Sequence, residues 1–210
     1  MRSKSSGLWL NEHTHDAFVQ LAKKEGYRSR AAYKLLEINQ KDNLLKPGML
    51  VVDLGSAPGS WSQVVSKKVK QYGKVFALDV LSMEPIEGVS FLQGDFTERE
   101  VLRQLENKLH DQKVDLVISD MAPNMTGTAV IDQAKSYYLA ELAADFAKNY
   151  LQSDGRFLIK VFQGSRYNDY IKLLKNQFLQ VVIRKPQASR NRSNEPVSYT
   201  HLRAHETSLH

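Results

Sequence analysis

A chain of 210 residues, 42% hydrophobic and 25% charged, has the composition of one globular domain with a real core, which excludes a disordered or fibrous protein. It has no cysteine, which excludes disulfides, thiolate zinc sites and thiol nucleophiles. Lys and Arg outnumber Asp and Glu by 29 to 23, a formal charge of +6, an excess that attracts phosphate backbones without establishing that one is bound.

The first residues, MRSKSSGLWL, are basic but lead into no long apolar segment. No run in the chain reaches the ~18 apolar residues of a membrane span, so the cytoplasm is the expected compartment. Two helices are predicted next, His15 to Glu25 and Ser29 to Asn39, separated by Gly26. They precede the first strand and read as an N-terminal extension, about residues 1–45, packed on a sheet. Dense positive charge lies at Lys23 to Arg30 (KKEGYRSR) and again at Arg184 to Arg192 (RKPQASRNR). Either segment alone is as readily a solvated face as an RNA contact; together they matter if the fold brings both ends to one site.

From residue 50 onward, apolar runs bounded by turn residues alternate with helix-period segments. The predicted strands are Leu50 to Leu54, Val75 to Asp79, Ser90 to Gln93, Val114 to Ser119, Arg156 to Phe162 and Leu179 to Arg184. The predicted helices between them are Ser60 to Tyr72, Thr97 to Leu109, Ile131 to Leu151 and Tyr167 to Gln177. This alternation predicts a doubly wound, Rossmann-like α/β domain with a parallel sheet, spanning residues 1–195 without internal repeat or linker. The tail, 196–210, lacks clear period-2 alternation. It reads as non-native sequence, so that a final antiparallel strand is expected to be missing or replaced, leaving a sheet position unfilled. His201 and His205 have helical i, i+4 spacing, but with no third ligand no metal site is expected.

The run VVDLGSAPGSWSQ, Val51 to Gln63, is an apolar strand ending in an acid and a glycine-rich turn that opens a helix. Such turns sit at the carboxyl edge of an open α/β sheet, where ligands bind. Gly55 and Gly59 permit close backbone approach. The G-x-G-x-x-G of a dinucleotide site lacks its middle glycine here, and no G-K-[ST] of a phosphate loop follows. A nucleoside ligand without phosphates, S-adenosylmethionine, fits best, and a dehydrogenase is disfavoured. Asp79 closes the second strand where a ribose diol would lie, and Asp95 follows the third near an adenine amino group. Asp120 ends the fourth strand. The fifth carries Lys160 between Ile159 and Val161, a position costly for an ammonium unless it is paired. Asp120 and Lys160 are therefore expected to converge at the reactive end of the ligand.

DLGSAPGSW, SDMAPNMTG, KVFQG and SRNRS together resemble the FtsJ/RrmJ family of ribosomal RNA ribose 2'-O-methyltransferases, from about Trp9 to Glu195. The resemblance implies S-adenosylmethionine as cofactor and, as acceptor, the 2'-hydroxyl of a uridine in the A-loop of large-subunit rRNA. It implies a catalytic set of Lys34, Asp120, Lys160 and Glu195, and cofactor contacts from Gly59, Trp61, Asp79, Asp95 and Asp120, to which the glycine turn adds Gly55. On this reading Lys160 is the base, Lys34 favours its neutral form and stabilises the developing alkoxide, and Asp120 and Glu195 orient the two amines. No metal is required, and a monomer is the default expectation. The basic ends would hold RNA phosphates. A competing reading keeps the fold without turnover, as an RNA-binding ribosome assembly factor; it would transfer no methyl group.

Overall fold

A computed structural model describes residues 16–189 and, as backbone, 197–204. Two helices open it, α1 (Ala17–Glu25) and α2 (Ala31–Asp42). They are followed by β1 (Leu50–Leu54), α3 (Ser60–Val69), a single 3-10 turn (Lys70–Tyr72), β2 (Lys74–Asp79), β3 (Val89–Gln93), α4 (Arg99–Leu109), β4 (Val114–Ser119), α5 (Ala129–Tyr150), β5 (Leu151–Phe162), α6 (Tyr167–Gln177), β6 (Phe178–Arg184) and β7 (Val197–Ala204). The sheet order is β3-β2-β1-β4-β5-β7-β6. The pairings from β3 through β5 are parallel, and β7 runs antiparallel to both its neighbours. Among the described residues no helix is long and apolar enough to cross a membrane.

Period-2 alternation sends successive side chains to opposite faces, and each face has its own core. Val52 and Leu54 of β1, Val117 of β4 and Phe157, Ile159 and Val161 of β5 pack with Leu105 of α4, Tyr137 and Ala144 of α5 and Leu174 of α6. Val51, Leu116, Ile118 and Leu158 pack instead with Trp61, Val64 and Val65 of α3 and with Ala32, Leu35 and Ile38 of α2. The spacing of those last three is one helical face, and it docks α2 on the side of the sheet from which even-numbered β5 residues project. Lys160 is one of them.

The first helix is set by local chemistry. Asp16 caps it by accepting from the Phe18 amide at 3.0 Å, and Gly26, at φ 74°, ends it. The segment after β6 then lies along α2. Arg184 makes a two-pronged ion pair with Asp42, at 2.6 and 3.1 Å, the Gln187 amide donates to Glu37 at 2.7 Å, and Arg30 reaches the carbonyl of Ala188. The two basic stretches therefore do meet, as the sequence left open. Part of their charge is used in doing so.

The tail corrects an expectation. β7 fills the position between β5 and β6 that was expected to be empty, with Val197 opposite Phe162 and Tyr199 opposite Lys160. The two parallel strands leave a gap one strand wide with unpaired amides and carbonyls on both sides. Main-chain hydrogen bonds fill that gap irrespective of side-chain alternation, and Val197, Tyr199 and Thr200 are good strand formers.

Candidate active site

Strand ends meet at the carboxyl edge of β1, β2, β4 and β5. Lys160 Nζ lies 2.5 Å from Asp120 Oδ1 and donates to the Asp120 carbonyl at 2.6 Å. The lysine side chain is 9% exposed and the aspartate 22%, so the ammonium that looked anomalous inside an apolar strand is paired, with an open side. The expected convergence of the two residues is what the fold produces.

Beside this pair runs a cleft of about 220 Å³ lined by Gly55, Asp79, Asp95, Asp120 and Met121, among others. Gly55 is at φ +75°, and a β-carbon there would lie 2.3 Å from Met121 Cγ and 2.8 Å from Met121 Cα. Gly59, at φ +104°, would meet Ile86, Met83 and Arg28 at 2.7 to 2.8 Å. Both positions thus require glycine to keep the turn close to its neighbours. Asp79 shapes the same turn: it accepts from the Ala57 amide and, with its other oxygen, from the Leu81 amide, each at 2.8 Å. One lone pair per oxygen remains for a diol. Asp95 uses Oδ1 for both the amide and the hydroxyl of Thr97, at 2.8 and 2.7 Å, leaving Oδ2 for an amino group. These acceptors, on one cleft wall, suit the ribose hydroxyls and adenine amino group of S-adenosylmethionine.

Trp61 occupies a different place. It is 2% exposed and donates from Nε1 to the Ala31 carbonyl at 2.9 Å, so its ring holds α2 to α3. It borders a small recess beneath the glycine turn, shared with Ser29, Ala31, Asp53 and Asp120, not the cleft with Asp79 and Asp95. Lys34 stands one helical turn beyond Ala31 on α2, half-buried, on the element packed against the Lys160 face. Glu195 lies outside the described residues.

Two residues beside the glycine turn were not singled out from sequence. Arg28, within the basic KKEGYRSR run, is a clamp: its guanidinium donates to the carbonyls of Pro58 at 2.8 Å and Pro85 at 3.0 Å, while its amide donates to Gln63 at 2.9 Å. Nothing local distinguishes it from the neighbouring lysines. Asp53 is the acid that ends the first apolar run, and it is completely buried. Ser62 donates to its Oδ2 at 2.6 Å, and Oδ1 has no hydrogen-bond partner among the described residues. Burial pushes its carboxyl up to about 7, assisted by the charges of Asp120 and Asp79 and opposed by the Ser62 hydrogen bond.

This shift has a measurable sign. In the unfolded chain Asp53 ionises near 3.8, whereas in the folded protein it holds its proton to about pH 7. The folded state binds more protons across that interval, so this group's contribution to stability falls as pH rises from about 4 to 7. Asp53→Asn removes the titration. In urea unfolding, the stability of the parent relative to this variant should fall with pH by up to ~1.4 kcal/mol per unit within that window. A difference independent of pH would show that Asp53 is ionised throughout.

Comparison with known proteins places this geometry. The model of the FtsJ-like methyltransferase family matches residues 27–199. A ribosomal RNA large subunit methyltransferase E from Neisseria meningitidis (serogroup C, serotype 2a) is 60% identical over 195 residues, covering 93% of this chain and 95% of the relative. One from Chromobacterium violaceum is 58% identical over 194 residues, covering 92% and 95%. A crystal structure from Plasmodium falciparum, described as a ribosomal RNA methyltransferase, superposes with a TM-score of 0.75 at 32% identity, covering 85% of this chain and 98% of its own. A Streptococcus mutans methyltransferase solved with SAH has a TM-score of 0.51 at 18% identity, covering 83% and 95%, a likeness of fold alone.

Proposed function

The chain belongs to the FtsJ-like methyltransferase family, and from that premise we propose that it methylates the 2'-hydroxyl of a uridine in the A-loop of large-subunit ribosomal RNA, with S-adenosylmethionine as donor and Lys160 as base. The observation that carries this reading is the Lys160–Asp120 pair, 2.5 Å apart, at the mouth of a cleft whose other walls present Asp79 and Asp95.

When bound, the cofactor supplies a methyl group already activated by a sulfonium charge. What the protein must do is hold the acceptor in line and remove its proton. Asp79 would hold the ribose hydroxyls, Asp95 the adenine amino group, and Gly55 and Gly59 the close backbone approach. Lys160, having first released its ammonium proton to solvent, takes the proton from the 2'-oxygen as that oxygen attacks. The ammonium so formed is held by the Asp120 carboxylate and carbonyl. Lys34, carried by α2 on the same face, would stabilise the developing negative charge. Glu195 would orient the second amine; it precedes by two residues the start of β7, which pairs with Phe162. The N-terminal residues, about 1–45, and the stretch after β6 form the RNA-binding flank. Arg28, Arg30 and Arg184 hold protein contacts, so Lys23 and Lys24, both exposed, are the better phosphate ligands there.

The test is transfer of labelled methyl from S-adenosylmethionine to large ribosomal subunits and to stripped rRNA from cells lacking the activity. Label should appear in rRNA as an alkali-resistant ribose-methylated dinucleotide. RNA retention without label would point to a binding factor and overturn the enzymatic reading.

A further inference from the structure

The cofactor cleft occupies one side of the Lys160–Asp120 pair. Between the loop after β4 and the first turns of α5 lies a second recess of about 300 Å³ lined by Pro123, Met125, Asp132, Gln133, Phe162 and Gln163. Phe162 follows Lys160 by two residues, on the same face of β5, and the ammonium lies 5.3 Å from the centre of its ring. The recess therefore begins one side chain away from the candidate base.

Its walls are held in place. Asp132 accepts from the amide and hydroxyl of Thr126, both at 2.7 Å, and from the Gly127 amide at 3.1 Å, which ties the loop to α5. Tyr137 donates to the Phe162 carbonyl at 2.8 Å, which ties α5 to β5. Gly164 leaves space for the Gln133 amide: a β-carbon there would lie 2.8 Å from Gln133 Cδ and Oε1. Met125 in its lining is 63% exposed, and Val130 and Ile131, on the first turn of α5 beside the lining residue Ala129, are 79% and 46% exposed.

We propose that this recess receives the base of the acceptor nucleotide, unstacked from its neighbours, with Phe162 and Met125 against its face and the amides of Gln133 and Gln163 toward its edge. The inference rests on the ribose methyltransferase reading, since a ribose whose 2'-hydroxyl meets Lys160 carries its base one glycosidic bond away. The lining suits a base better than a phosphate: it holds no ammonium or guanidinium, and its one charged residue is an acid. A preformed recess of a few hundred cubic ångströms with an aromatic wall and two amides, each both donor and acceptor, is how proteins take single unpaired bases.

Met125→Ala and Gln133→Ala, singly and together in the full chain, test this with small risk to folding. Methyl transfer to large ribosomal subunits and to a bare rRNA transcript would be followed alongside S-adenosylhomocysteine binding by calorimetry. The double variant should lose roughly 10- to 100-fold in kcat/KM on both RNA substrates, the scale of a lost base contact, with S-adenosylhomocysteine affinity within about twofold of the parent, since neither residue lines the cofactor cleft. Parent-like kcat/KM overturns the proposal. So does loss of cofactor affinity in step with activity, or a defect confined to assembled subunits, which would assign the recess to a ribosomal protein side chain. A parent inert on every substrate overturns the methyltransferase reading itself. As a second measurement, a transcript carrying 4-thiouridine should crosslink on irradiation to the peptide containing residues 125–133, and crosslinks confined to other peptides would overturn the proposal.

Discussion

Lys160→Ala should abolish methyl transfer, by about 10³-fold or more, the upper part of the range for loss of a positioned proton acceptor, while S-adenosylhomocysteine still binds. The residue is not among those that line the cleft with Asp79 and Asp95, so its removal leaves those acceptors in place. Lys160→Arg separates two explanations of such a loss. Arginine keeps the cation beside Asp120 but cannot become neutral near physiological pH, so it cannot accept the hydroxyl proton. If Lys160 is the base, both variants are inactive. An active Lys160→Arg enzyme would show that a fixed positive charge suffices and would remove the base assignment.

Gly55→Ala should unfold the protein more easily by about 3 kcal/mol, combining the cost of a non-glycine residue at positive φ with an overpacked contact. The added β-carbon has nowhere to go: it would stand 2.8 Å from Met121 Cα and 3.0 Å from Met121 N, backbone atoms that follow directly on Asp120. The strain should thus be transmitted to the Lys160–Asp120 pair, and S-adenosylhomocysteine affinity should fall with stability. Gly48→Ala is the control. Gly48 is also at positive φ, +85°, but nothing lies within 4 Å of its would-be β-carbon, so only the backbone cost, on the order of 1 kcal/mol, should appear. Equal denaturation midpoints for the two variants would show that the contact with Met121 carries no weight.

The predicted elements survive with small changes at their ends. The fifth strand starts at Leu151 and not Arg156, and α2 runs to Asp42, because strand pairing and helix docking extend elements past the point where local pattern stops. The candidate site was legible to the extent that its residues lie at or near strand ends: Asp79 closes β2, Asp120 follows β4 and Lys160 lies two residues before the end of β5. Trp61 was legible as part of a motif but not as a residue whose indole nitrogen donates to Ala31 of α2. The basic runs were legible as charge, yet Arg28 and Arg184 are structural, because whether a guanidinium faces solvent or a carbonyl depends on partners 30 to 142 residues away.

By itself, the sequence determined the alternating α/β order, the glycine turn between β1 and α3, and the set of acids and one lysine carried to a common edge. These follow from periods of 2 and 3.6 and from turn chemistry, which are local. Only the tertiary structure decided that α2 lies on the Lys160 face, that burial raises the Asp53 carboxyl to about 7, that β7 fills the gap beside β5, and that a second recess opens next to Phe162. Desolvation, strand insertion and cavity shape are sums over contacts between distant segments, and no local period records them.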